Sequence, residues 1–171
     1  MRVRDTQRQR VYDWEASISK VGDGEMTLPA CHKMIKQVWA TYVGDDPVPR
    51  VVNGRGRRSA CYVPLYHEIR LPRSMRSPQV VLHEAAHAIL DYYIQRKRCS
   101  PEPIHGPVFA RLVIDLYACY IGVDRARLMD DATVRGIKLA SAAHTYVELG
   151  IPVFTGKRVL KRRQTTARKG D

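Results

Sequence analysis

The sequence feature that most constrains this chain is a pair of histidines four residues apart inside its most apolar predicted helix. The pattern is His83-Glu84-Ala85-Ala86-His87. Side chains at positions i and i+4 lie one above the other on one helix face, so both imidazoles can bind one zinc ion. The glutamate, about 100° around the helix, can reach a water held by that ion. The motif therefore predicts a zinc-dependent hydrolase of the metalloprotease type.

The helix that carries this motif is predicted from Pro78 to about Ile94, with Ser77 as its N-cap. It is apolar on nearly all sides, which predicts a central position in the domain. Burial of two imidazoles and a carboxylate in such a helix costs free energy unless a partner replaces the lost hydration. A bound metal ion provides that partner, and a pair of satisfied core histidines is the alternative.

A catalytic zinc site needs a third protein ligand and one open position for water. A metzincin would have a histidine six residues after the second one, where this chain has Tyr93. His105 stands at the start of the next predicted helix, and a helical hairpin would bring it back over His83 and His87. We expect His105 to be the third ligand. The remaining histidines are expected to have structural roles, exposed or in the core: His32, His67 and His144.

The flanking segments predict further helices and a small sheet. Amphipathic spacing and turn residues place helices near 6–20, 28–43, 107–121 and 124–131, and strands near 50–52, 59–63 and 67–71. We interpret the strands as a small, mainly antiparallel meander packed on the motif helix, which is the α+β class. Weaker strand-like patterns occur at 134–139 and 146–154.

The order of these motifs resembles that of the SprT-like minimal zincins. An H-E-x-x-H-A helix is followed by a loop and by an H-G-x-x-F pattern that begins at His105. The chain more closely resembles a family of small metallohydrolases encoded by actinobacteria and their phages, over about residues 5–140. The resemblance implies a zincin-like domain over residues 1–154 that binds Zn²⁺ through His83, His87 and His105, with Glu84 as the base. The cysteine-rich zinc ribbon of the DNA-repair members is absent from this sequence, so their DNA-dependent activity is not implied.

A second, shorter resemblance concerns the segment that contains Asp91. The segment from Ala88 to Tyr92 looks like the continuation of the motif in thermolysin-type proteases. This likeness makes Asp91 a candidate partner of a ligand histidine, and an exposed or helix-capping aspartate is the alternative.

The predicted mechanism is hydrolysis of a peptide bond. Zinc would lower the pKa of its water to about 7, and Glu84 would take the proton and pass it to the leaving amine. The strand 67–71 is expected to be an exposed edge on which an extended peptide adds as a further strand. The substrate is therefore expected to be a protein or peptide. Four residues are near enough in sequence to stabilise the oxyanion: Arg70, Arg73, Tyr92 and Tyr93.

Composition limits the remaining possibilities. The chain has 171 residues, of which 44% are hydrophobic, enough for one ordinary core. It has no apolar run near the ~18 residues of a membrane span, and no apolar block follows its arginine-rich first ten residues, so we expect no signal peptide. We therefore expect a cytoplasmic protein that does not associate with membranes. Its four cysteines form no C-x-x-C pair and are expected to be reduced, mostly buried thiols.

Charge is concentrated at the end of the sequence. The net charge is +12, and residues 155–171 hold seven basic residues against one acidic residue. This segment predicts a basic flexible tail with nucleic acid as a candidate partner, or a tail that only aids solubility. Two other function classes stay open. One is a zinc amidase with a non-protein substrate, and the other is a nucleic-acid-associated accessory protein with a structural or inert zinc.

Overall fold

A computed structural model describes residues 4–18, 24–97, 103–148 and 150–152. This part of the chain has five α-helices and a three-stranded sheet, with short 3-10 or π-helical turns, so the α+β class is confirmed. The helices are α1 (Arg8–Ile18), α2 (Leu28–Tyr42), α3 (Pro78–Lys97), α4 (Pro107–Tyr120) and α5 (Arg125–Val134). The strands are β1 (Arg50–Asn53), β2 (Cys61–Val63) and β3 (Glu68–Leu71).

Helix α3 forms the centre of the domain, as its apolar composition predicts. Its first turn is capped by Ser77, whose hydroxyl accepts a hydrogen bond from the backbone N–H of Val80 at 3.3 Å. The side chains of Leu82 and Ile89 are completely buried. Helices α2 and α4 pack against α3, and β2 lies beside it. The residues of the motif thus lie on a helix that is buried and contacted by its neighbours on several sides.

The sheet is mixed, so the prediction of a mainly antiparallel meander is wrong for β1. Strand β3 lies in the middle, parallel to β1 and antiparallel to β2. The chain after β1 passes Gly54, where an added Cβ would lie 2.8 Å from the backbone nitrogen of Pro72. This close approach needs glycine, and it carries the chain past the end of β3 to the far side of the sheet. The segment 67–71 is consequently a central strand and not an exposed edge.

Helix α1 is held against the body of the domain at both ends. Val11 and Trp14 are fully buried, and the indole ring of Trp14 stacks on Tyr117 of α4 with centroids 6.2 Å apart. The side-chain amide of Gln7 donates to the carbonyl of Lys138 at 3.2 Å and accepts from its N–H at 3.0 Å. The polar face of α1 is thereby directed toward the N-terminal half of α3.

Where the structure describes the chain after α5, it does not form the weak strands suggested by the sequence. Gly136, with φ of +70°, ends α5, and residues 143–148 form a π-helical turn. Residues 149 and 153–154 and the basic segment 155–171 lie outside the described residues, as does Cys99. The other three cysteines have free thiols, with Cys31 buried and the other two half-buried. None of the described helices has the length and apolar character needed to cross a membrane.

Candidate metal centre

Three imidazoles converge where α3 meets the start of α4. His83 and His87 lie on α3, and His105 lies two residues before α4. One ring nitrogen from each lies within 4.8 Å of those of the others, and the Nε2 atoms of His83 and His87 are 3.1 Å apart. In a tetrahedral site with Zn–N bonds of 2.0–2.1 Å, ligand nitrogens are separated by about 3.3 Å. The three side chains lie close enough together that they could bind one metal ion.

The Nε2 atom of His105 gives an independent test of this fit. It is buried and has no hydrogen-bonding partner in the structure, while His105 itself is 4% exposed. An unsatisfied buried polar atom costs about 1–3 kcal/mol. A metal ion bound by the three histidines would contact this atom and remove that cost.

Two carboxylates of the N-terminal segment hold the outer nitrogens of these rings. Asp5 Oδ2 lies 2.7 Å from Nδ1 of His105. Both carboxylate oxygens of Glu15 lie 2.8–2.9 Å from Nδ1 of His83. Because a carboxylate only accepts, Nδ1 of each ring carries a proton, which leaves Nε2 as the atom that can bind a metal ion. The two carboxylates also balance the charge of a divalent ion.

Sequence reasoning missed these carboxylates, because the apolar positions of α1 identified it only as a core-packing helix. A signal was nevertheless present. Asp5, Arg8, Tyr12 and Glu15 recur every three or four residues and form a polar stripe beside the apolar one. Glu15 is only 8% exposed. A polar stripe on a helix that also has a buried face indicates a polar partner inside the protein.

The electrostatics of the three rings differ. Burial, followed by the charges of His83 and His105, holds the pKa of His87 well below its usual range. Burial also lowers the pKa of His105, although Asp5 opposes this shift. For His83, burial favours the neutral form, but the charge and hydrogen bond of Glu15 outweigh it, and the pKa is raised. His87 and His105 are therefore neutral at pH 7, which is the form that binds metal.

Glu84 lies between α3 and β2 beside the three histidines. Its side chain is buried and accepts a hydrogen bond from the backbone N–H of Tyr62 at 2.7 Å. Burial raises the pKa of this carboxyl group, although His83 and the Tyr62 hydrogen bond act in the opposite direction. A carboxylate with a raised pKa next to a metal site is suited to accept a proton from water.

A cleft of about 1010 Å³ opens onto Glu84 and the histidines. Strand β2 and the segment before it line one side, and the polar face of α1 lines another. From α1, the ring of Tyr12 stacks on His83 with centroids 5.7 Å apart and meets His105 edge-on at 5.0 Å. Burial raises the pKa of Tyr12, whereas the nearby Arg8 lowers it. The candidate centre thus lies at the bottom of an open cleft.

Asp91 lies one turn beyond His87 and also lines the cleft. Its carboxylate accepts from the hydroxyl of Tyr62 at 3.0 Å and from the amide of Gln95 at 2.8 Å. The hydroxyl of Tyr62 also lies 3.1 Å from Nδ1 of His67. Asp91 therefore belongs to a polar group at the far end of the cleft, while Asp5 and Glu15 hold the ligand imidazoles.

The four residues predicted as candidate oxyanion donors lie outside the cleft that contains Glu84. The guanidinium of Arg70 binds Glu68, and that of Arg73 binds the exposed Glu25, both at 2.6 Å. The hydroxyl of Tyr92 donates to Asp46, and that of Tyr93 donates to the carbonyl of Tyr42. None of the four lines the cleft with Glu84, so the structure does not place these candidates beside the three histidines.

Comparison of the chain with protein-family models, with curated proteins and with solved structures gives no match. The family resemblance based on the motifs consequently stays a prediction. The arguments for function rest on the geometry of the site.

Proposed function

We propose that this protein is a zinc-dependent metallopeptidase. The observation that carries the proposal is the convergence of three imidazole nitrogens, one of them buried without a partner, beside a buried glutamate. Among the residues that the structure describes, no fourth histidine, cysteine or carboxylate joins this group. A set of three ligands leaves one coordination position open, which is typical of catalytic zinc and not of structural zinc.

His83, His87 and His105 would hold the ion, with Asp5 and Glu15 fixing the ring orientations of two of them. When bound, zinc polarises the substrate carbonyl and lowers the pKa of a water to about 7. Glu84 accepts the proton from the attacking water and then delivers it to the leaving amine nitrogen. Its buried position keeps the carboxylate next to the ligands without making it a ligand.

The free edge of β2 favours a peptide as the substrate. The backbone of Tyr62 points its N–H away from β3 and toward Glu84 at 2.7 Å. The segment from Ser59 to Tyr62 lines the cleft, so an extended peptide could pair with β2 and enlarge the sheet. A substrate carbonyl would take the Tyr62 N–H and release Glu84 for proton transfer. We therefore expect the substrate peptide to pair with the edge of β2 and not with β3, which was the strand expected from the sequence.

The test combines metal analysis with cleavage of a proteome-derived peptide library. Protein purified without added metal should hold about one zinc per chain, and His105→Ala should lose most of it. Glu84→Gln should keep zinc and fold but lose about 100-fold or more of the cleavage rate. Glu25→Gln is the matched control, because Glu25 is exposed and pairs with Arg73, away from the three histidines. Absence of bound metal, or cleavage at the wild-type rate by Glu84→Gln, would refute the proposal.

A further inference from the structure

Hydrolysis of a peptide bond needs a donor for the oxyanion, and three of the hydroxyl and amide side chains lining the cleft already donate to the protein. Tyr62 donates its hydroxyl proton to Asp91. Tyr117 donates to the carboxylate of Glu15 at 2.6 Å, and the amide of Gln79 donates to the Glu15 carbonyl at 2.7 Å. These groups are held by acceptors of the protein.

Tyr12 is different, since no group of the described residues accepts its hydroxyl proton. Its ring lies against two of the three ligand imidazoles, at 5.7 Å from His83 and 5.0 Å from His105. The residue is 37% exposed, and its exposed part faces the cleft that contains Glu84. A phenol in this position is anchored by its ring and has a proton to donate to a molecule bound in the cleft.

Arg8, one turn earlier on α1, supplies the orientation. Its guanidinium lies over the Tyr12 ring, 5.4 Å from the centroid, which is a cation–π contact. This contact and the stacking on His83 together hold the ring in place. The hydroxyl proton of Tyr12 is thus available to substrate.

We propose that Tyr12 is a catalytic residue that donates a hydrogen bond to the oxyanion of the tetrahedral intermediate, and that Arg8 is its positioning residue. This inference rests on the proposed peptidase function. The water oxygen forms a bond to the carbonyl carbon while Glu84 takes one water proton, and the π electron pair moves to the carbonyl oxygen. Tyr12 stabilises that negative charge and keeps its own proton. The C–N bond then breaks as Glu84 gives its proton to the amine nitrogen.

The test uses Tyr12→Phe, which keeps the ring packing and removes only the hydroxyl. Removal of one oxyanion donor lowers kcat by about 100-fold, and we expect KM to change little because the contact forms in the transition state. Zinc content should be unchanged. Tyr66→Phe is the control, since Tyr66 is 60% exposed and does not line the cleft. Arg8→Gln should lower kcat less, and should add little to Tyr12→Phe in the double variant.

A second measurement does not depend on turnover. A peptide phosphonamidate, whose tetrahedral phosphorus mimics the intermediate, is titrated calorimetrically into the zinc-loaded wild-type and variant proteins. We expect its Kd to rise at least about tenfold in Tyr12→Phe and to be unchanged in Tyr66→Phe. Equal Kd and kcat in Tyr12→Phe and wild type, or no phosphonamidate binding by wild type, would overturn the role of Tyr12. Loss of cleavage in Glu84→Gln would in that case leave the peptidase function standing. Tyr12-dependent binding without any cleavage by wild type would instead refute the peptidase function alone.

Discussion

Replacement of Glu15 by glutamine tests whether a carboxylate on α1 sets the metal affinity of a histidine on α3. Glutamine has nearly the same size and shape, so the packing of α1 should survive. The carboxylate now lies 2.8 and 2.9 Å from Nδ1 of His83 and accepts from the hydroxyl of Tyr117 at 2.6 Å. The amide keeps one acceptor, loses the negative charge and can present its NH₂ group to a nitrogen that needs an acceptor.

The size of the effect follows from these contacts. A hydrogen bond to a charged group contributes about 1.5–3 kcal/mol and a neutral one about 0.5–1.5 kcal/mol. Conversion of the Glu15–His83 bond from charged to neutral therefore weakens it by roughly 1–2 kcal/mol. Because that bond fixes the tautomer that exposes Nε2 of His83, most of the loss should appear in metal binding. At about 1.4 kcal/mol for each tenfold change, we expect the zinc Kd to rise about 5- to 30-fold, which overlaps the range typical for partners of ligand histidines.

The assay is a competition titration of zinc against a chromophoric chelator at pH 7, with far-UV circular dichroism as a check of folding. Asp13→Asn is the matched control, because Asp13 lies on the same helix, is exposed and accepts a hydrogen bond from Gln9 instead of from a histidine. Its zinc Kd should equal that of wild type. A folded Glu15→Gln protein whose zinc Kd is within about twofold of wild type would refute the idea that this carboxylate controls the site.

Two further predictions concern a buried aspartate and the basic segment. Asp115 is fully buried, and burial raises its pKa to about 6 although Arg125 lies 3.2 Å away. A raised carboxyl pKa gives stability that is complete below about pH 4 and lost as the pH rises through 6. Relative to wild type, metal-free Asp115→Asn should therefore gain up to about 3 kcal/mol in free energy of unfolding between pH 4 and pH 7. Urea unfolding measures this gain, and a difference independent of pH would contradict it. A chain ending at Phe154 should keep its zinc but bind nucleic acid more weakly and with a shallower salt dependence. Fluorescence anisotropy at several salt concentrations tests this, and unchanged affinity and slope would indicate a tail that only aids solubility.

Local patterns predicted most of the helices because their signals are short-range. The Ser77-Pro78 start of α3 and the Thr27 cap of α2 are contacts between residues three apart, and the structure has both. Strand pairing is a long-range property. Nothing near Arg50 in the sequence indicates that β1 lies parallel to β3 with β2 on the other side. The meander was expected because consecutive strands usually pair as hairpins, and here the turn through Gly54 opposes that tendency.

The difference between what local sequence predicts and what only the tertiary structure shows is clearer at the candidate site. His83, Glu84 and His87 were predicted by the sequence alone, because one helical turn fixes their geometry whatever surrounds it. His105 was predicted from its position in a helical hairpin, and the structure brings it to the other two. Asp5 and Tyr12 could not be predicted from sequence spacing, since they lie more than 70 residues before the motif. Only the docking of α1 across α3 and α4 places a polar stripe against the imidazoles. The sequence by itself therefore determined the histidine–glutamate motif of the candidate site. Tertiary packing decided which residues hold and face this motif, because their contacts cross the core between distant segments.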